Sequence, residues 1–158
     1  MSFNKCGAMV CIFLLAALAI AKSGTNNAAV SLSAEPALQN SEETEFISVE
    51  ELKAKLSKNE PVAIVDVRAP NGLPANPEKI RGAVYVKLRR LKYRLGFPPL
   101  KDVPHNRLVV TYCACPNDES AVSAAQILRE AGFKQVRVLR GGWVRWQKAK
   151  GQVERMAR

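Results

Sequence analysis

Histidine is nearly missing from this chain: His105 is the only one in 158 residues, alongside four cysteines. Structural zinc wants four nitrogen or sulfur ligands, so this composition argues against a zinc framework, and the expected site uses no metal. Acidic residues are also scarce, 14 against 24 Lys and Arg, which leaves a net charge of +10. That excess favours anionic ligands or anionic surfaces and carries no information about the fold. No apolar run reaches the ~20 residues that span a bilayer comfortably. No repeat of fixed period occurs, which removes a solenoid from consideration. What remains, 47% hydrophobic and 24% charged, is ordinary globular composition with length for one domain and a real core.

The amino-terminal end stands apart. Lys5 precedes the uncharged stretch Cys6 to Ala21, which closes on Ala19-Ile20-Ala21, the layout of a secretory signal cleaved after Ala21. An uncleaved anchor is the alternative. Either reading places the body of the chain outside the cytoplasm, periplasmic or secreted, and leaves Cys113 and Cys115 as the cysteines of the folded part. Residues 22–44 are rich in Ser, Ala, Asn, Thr and Glu and read as a flexible linker. The folded domain is expected over 45–158.

Within that domain apolar spacing alternates between two periods. Phe46-Ile47 suits a short strand, and Ser48 with Glu51 has the spacing of a capping box, so a helix is expected over Val49 to Ser57. Val62 to Val67 is a nearly continuous apolar run, as in a strand covered on both faces. Four prolines and glycines between Ala69 and Pro77 predict a loop. A strand over Gly82 to Val86 and a helix over Lys87 to Leu95 follow. Further on come a strand over Arg107 to Tyr112, a helix over Ser120 to Ala131, a strand over Val136 to Leu139 and a helix from Trp143 to about Lys150. The alternation implies an α/β fold, a central parallel sheet of about five strands with helices on both faces.

In open α/β sheets, sites form where strands hand over to the following helices. The segment Tyr112-Cys113-Ala114-Cys115-Pro116-Asn117-Asp118-Glu119-Ser120 occupies such a place. Cys113 ends a strand one short loop before a helix, so backbone N–H groups and the helix dipole are expected to converge on its sulfur and lower its pKa. The thiolate would be the nucleophile, needing no cofactor.

Here the chain resembles the rhodanese-like domain family over roughly Glu45 to Gly151. Asp66-Val67-Arg68 resembles the D-V-R that ends an early strand, and Ile80-Arg81-Gly82-Ala83 the I-x-G-A that follows. Val109 to Cys113 resembles the strand delivering the catalytic cysteine, with Ser120 on the helix behind it. Leu139-Arg140-Gly141-Gly142-Trp143 with Trp146 is similar to the family's L-x-G-G-x-x-x-W ending. The resemblance implies a sulfurtransferase. Cys113 would take sulfane sulfur from a small sulfur-containing anion or thiol, hold it as a persulfide and pass it on. Ala114, Cys115, Pro116, Asn117, Asp118 and Glu119 would form the substrate loop, and Asp66, Arg68, Gly82, Ser120, Gly141, Gly142 and Trp146 the structural motif.

The loop departs from that pattern. Seven residues run from Cys113 to Glu119, one more than in many active members, and none is Arg or Lys. Two acids, Asp118 and Glu119, stand there instead, although Asp118 is also suited to capping the helix. The same length resembles the loop of cell-cycle phosphatases on this fold, but Glu119 occupies the place of their phosphate-binding Arg, which argues against phosphatase activity. Cys115 has three readings: a resolving partner of a Cys113 persulfide, one half of a dithiol–disulfide pair, or a passive loop residue. A catalytically weak binding module is the remaining alternative. His105 is expected in a solvated turn, and Trp143 and Trp146 in packing. Lys79 to Arg94 holds seven Lys or Arg and no acid, a solvated basic face or one near an anionic membrane surface. The export signal argues against nucleic acid.

Overall fold

The structure is a computed structural model that describes residues 44–73 and 77–156. The expected leader and nearly all of the expected linker lie outside the described residues.

Seven strands and four α-helices occur among the described residues: β1 (Phe46–Ile47), α1 (Val49–Ser57), β2 (Val62–Asp66), β3 (Glu78–Ile80), β4 (Val84–Tyr85), α2 (Leu91–Arg94), β5 (Leu108–Tyr112), α3 (Glu119–Glu130), β6 (Gln135–Leu139), α4 (Gly142–Lys148) and β7 (Val153–Arg155). Five strands form one sheet in the order β1-β6-β5-β2-β4, and every pairing in it is parallel. This is the expected architecture. The register aligns the ends of β2 and β5, Asp66 opposite Tyr112.

Side chains alternate across a strand, and that period sorts the core into two layers. Val65, Val109, Val136 and Val138 face one way, onto Leu91 of α2 and Ala121, Ala124, Ala125 and Leu128 of α3. Ile64, Val110 and Leu139 face the other way, onto Val49 and Leu52 of α1 and Trp146 of α4. Small residues on α3 let the helix lie close to the sheet. Ser48 caps α1 as its spacing predicted, accepting from the Glu51 amide at 3.0 Å.

Three local features differ from expectation. The helix expected over Lys87 to Leu95 is a 3-10 turn, Leu88–Arg90, followed by the single turn α2. Its neighbour β4 is shorter than the strand expected there. The third is β3, which lies within no expected strand and pairs antiparallel with β7, Lys79 opposite Glu154, in a separate ribbon. A Lys79–Glu154 ion pair and the Arg81 amide donating to the Gln152 carbonyl fasten that ribbon. The ribbon joins distant chain segments, which local spacing does not encode. No helix among the described residues is long and apolar enough to cross a membrane.

Candidate active site

The carboxyl ends of β2, β5 and β6 deliver three segments to one place: Asp66 to Arg68, the loop from Cys113 to Asp118, and Arg140 to Trp143. Beneath the loop is a buried ion pair. Asp66 is fully buried and accepts from the Arg68 amide at 3.0 Å, Arg68 Nε at 3.0 Å, Arg68 Nη2 at 2.7 Å and the Tyr112 hydroxyl at 2.8 Å. The Arg68 guanidinium also lies over the Trp143 ring, 4.2 Å from its centroid. Trp143 is therefore more than packing, because one side of it faces this cation and a cleft.

The loop is tied to α4 by two bonds. The Cys113 carbonyl accepts from the Trp143 amide at 2.8 Å, and Asp118 Oδ2 accepts from the Gly141 amide at 2.8 Å. Asp118 therefore makes no side-chain bond at the start of α3, where capping was expected. It turns instead to the Gly141-Gly142 corner, which withdraws its charge from the mouth of the loop. Gly142 is required there: its φ is +46°, and a Cβ would sit 2.2 Å from the Cys113 carbonyl oxygen. Gly82, with φ +76°, makes the turn between β3 and β4.

The two cysteines differ sharply in setting. Cys113 is 0% exposed and belongs to the hydrocarbon layer with Val65, Val67 and Ala121. Its sulfur accepts from the Cys115 amide at 3.3 Å. Burial nevertheless pushes the Cys113 thiol up to about 11, with the neighbouring Cys115 adding to the rise; the amides of Cys115 and Ala121 pull the other way without compensating. Burial of the side chain opposes the ionisation expected from its place at a strand end. Amides do reach the sulfur, but desolvation outweighs them.

Cys115 shows the properties expected of its neighbour. Its side chain is half-buried, with Sγ 3.1 Å from the Ser120 hydroxyl. Partial burial raises its pKa, but hydrogen bonds from the Ser120 side chain, the Cys113 thiol and the Ser120 amide outweigh that and the nearby Glu119 carboxylate, so the group lies below the ordinary cysteine value. Ser120, expected only as a motif residue, thus acts directly on a sulfur.

Two clefts open beside Cys115, and Cys113 lines neither. One of about 550 Å³ is bounded by Ala114, Cys115, Pro116, Gly141, Val144, Arg145 and Lys148. The other, about 300 Å³, is bounded by Arg68, Ala69, Asn71, Leu73, Ala114, Cys115 and Trp143. Asn117 and Glu119 are exposed at the rim, with the Asn117 amide 3.5 Å from the Glu119 carboxylate. Arg145 and Lys148 escaped the sequence reading, since nothing in the chain order links α4 to this loop. Elsewhere, His105 is exposed and packs tilted against Phe133, and Trp146 is buried with its Nε1 donating to the Gln152 carbonyl at 3.1 Å.

Comparison with known proteins agrees with this architecture. Among solved structures, a rhodanese-like domain from the Anabaena sp. Alr3790 protein is 28% identical, with a TM-score of 0.58 over 70% of this chain and 79% of its own. A thiosulfate sulfurtransferase from Pseudomonas aeruginosa shares the fold at 23% identity and TM-score 0.56, over 70% of this chain and 20% of its own. A protein from Rhodopseudomonas palustris described as a possible tyrosine phosphatase matches at 25% identity and TM-score 0.56, over 70% of this chain and 85% of its own. No curated protein matches. The model of the rhodanese-like domain matches residues 48–149, and the chain belongs to that family.

Proposed function

We propose that this protein is a rhodanese-type sulfurtransferase in which Cys115, not Cys113, carries the sulfur. The observation that supports this most is the contrast between the two thiols. Cys115 is half-buried and lines two clefts, whereas the Cys113 side chain is fully enclosed and lines neither. In the first half-reaction the Cys115 thiolate attacks the sulfane sulfur of a donor. The donor's S–S bond breaks, its leaving group departs with the electron pair, and Cys115 is left as a persulfide. An acceptor thiolate then attacks the outer sulfur and returns Cys115 to its thiolate. Cys113 contributes a packed floor whose sulfur accepts from the Cys115 amide, and Ser120 a hydrogen bond to the Cys115 sulfur.

The test is intact mass after thiosulfate or polysulfide treatment and alkylation. Native protein and Cys113→Ser gain one sulfur, and Cys115→Ser gains none. Loading that survives Cys115→Ser and disappears in Cys113→Ser would refute the assignment.

A second reading rests on two free cysteines one residue apart, with the Cys115 amide 3.3 Å from the Cys113 sulfur, which suits disulfide exchange. It predicts loss of two hydrogens under oxidant, reversed by reductant, and no sulfur gain. The sequence from Lys5 to Ala21 supports an extracytoplasmic setting for either chemistry. A mature chain beginning at Lys22 when the full sequence is expressed would agree with cleavage.

A further inference from the structure

Because the loop carries no cation, an anionic donor approaching a thiolate meets like charge. The structure shows where compensation comes from. Arg145 and Lys148 stand three residues apart on α4, a spacing that puts both on one helix face, and both border the same 550 Å³ cleft as Cys115. Arg145 folds back over the helix start, such that a Cβ on Gly141 would lie 3.0 Å from its Cδ. Among the described residues neither cation is ion-paired, unlike Arg68, Lys79 and Arg137, which have carboxylate partners. On the acidic side, Asp118 is turned to the Gly141 amide and Glu119 remains exposed at the rim.

We infer that Arg145 and Lys148 form the anion-recognition site of this protein, holding the oxyanion leaving group of a sulfur donor while its sulfane sulfur faces Cys115. Their assignment as a donor site rests on Cys115 being the sulfur carrier. With thiosulfate the step is balanced: the Cys115 thiolate forms a bond to the outer sulfur, the S–S bond breaks, and sulfite leaves with the electron pair. Two positive side chains lower the repulsion on approach and stabilise the departing dianion. The second cleft at Cys115, walled by Leu73, Trp143 and Arg68, is left for the acceptor.

The test compares native full-length protein with Arg145→Glu/Lys148→Glu, using Lys58→Glu/Lys134→Glu as a control with the same change of net charge at exposed positions outside the site. Cys115 is alkylated with iodoacetate, an anion, and with iodoacetamide, a neutral reagent of similar size. The ratio of the two rates cancels any change in thiolate fraction. It is expected to fall about tenfold in the α4 variant and to stay at the native value in the control, the size anticipated for two partly exposed charges. The thiosulfate concentration for half-loading rises in parallel. An unchanged ratio in the α4 variant, or an equal fall in the control, overturns the inference. If the ratio falls but native protein takes up no sulfur at Cys115, the anion site stands and the carrier reading fails.

Discussion

Replacing Asp66 by Asn removes one charge from beneath the active-site loop and leaves the Arg68 guanidinium, only 4% exposed, without its counter-ion. Asn retains one oxygen able to accept, so part of the hydrogen bonding to the Arg68 amide and the Tyr112 hydroxyl survives. The electrostatic compensation does not. Breaking a buried pair by removing one partner costs about 3–5 kcal/mol, and the retained acceptor puts Asp66→Asn near the lower figure, about 3 kcal/mol. Against a total stability of about 5–15 kcal/mol for a domain, that is a large share. The exposed pair Arg137–Glu51, at 3.0 Å, is the internal reference, and Glu51→Gln there costs less than about 1 kcal/mol. Urea unfolding measures both: the midpoint drops strongly for Asp66→Asn with an unchanged slope, and barely for Glu51→Gln. Arg68→Met on its own leaves Asp66 uncompensated, and the double variant Asp66→Asn/Arg68→Met loses less than the sum of the two single losses. A loss below 1 kcal/mol for Asp66→Asn, or strict additivity in the double variant, would refute the view that this pair stabilises the site as a buried unit.

Two further outcomes follow from the geometry of the loop. Iodoacetamide modification of Cys115 rises with pH about a midpoint below the ordinary cysteine value, because the thiolate is the reactive form; Ser120→Ala moves that midpoint upward by removing a donor to the sulfur, and Cys113 stays unmodified until pH nears about 11. A Ser120→Ala profile superimposable on the native one would remove Ser120 from the account. Gly142→Ala destabilises more than Gly82→Ala when melting temperatures are compared: the second costs only the left-handed backbone, about 1–2 kcal/mol, whereas the first also drives a Cβ to 2.2 Å from the Cys113 carbonyl oxygen. Equal losses at the two glycines would show that the α4 corner shifts freely.

Much of the architecture is legible in the chain because its determinants are local. The nearly continuous apolar run from Val62 to Val67, the Ser48 cap and the small residues of α3 are each written within a few consecutive positions. The strand-to-helix handover after β5, together with the ordered motifs from Asp66 to Trp146, also singles out the loop from Cys113 to Glu119 as the candidate site. The separate β3–β7 ribbon was not legible, since it joins residues more than seventy positions apart through an ion pair and backbone bonds. The spacing of Leu88, Leu91 and Leu95 predicts a longer helix than α2, because a 3-10 turn followed by one helical turn satisfies the same packing.

The sequence by itself determined that two cysteines stand at the carboxyl end of a parallel strand. Which of them meets open space was decided by tertiary structure. Proximity to a strand end predicts amide donors, and amides do reach Cys113, yet an ionised sulfur also needs water or charge, and the α2–α3 layer closes over that side chain. Cys115, two positions on, has Ser120 and two clefts beside it, and in one of the clefts two cations from a helix about thirty residues further along the chain. Solvent access and long-range charge depend on which segments meet in space, and that information exists only once the chain has folded.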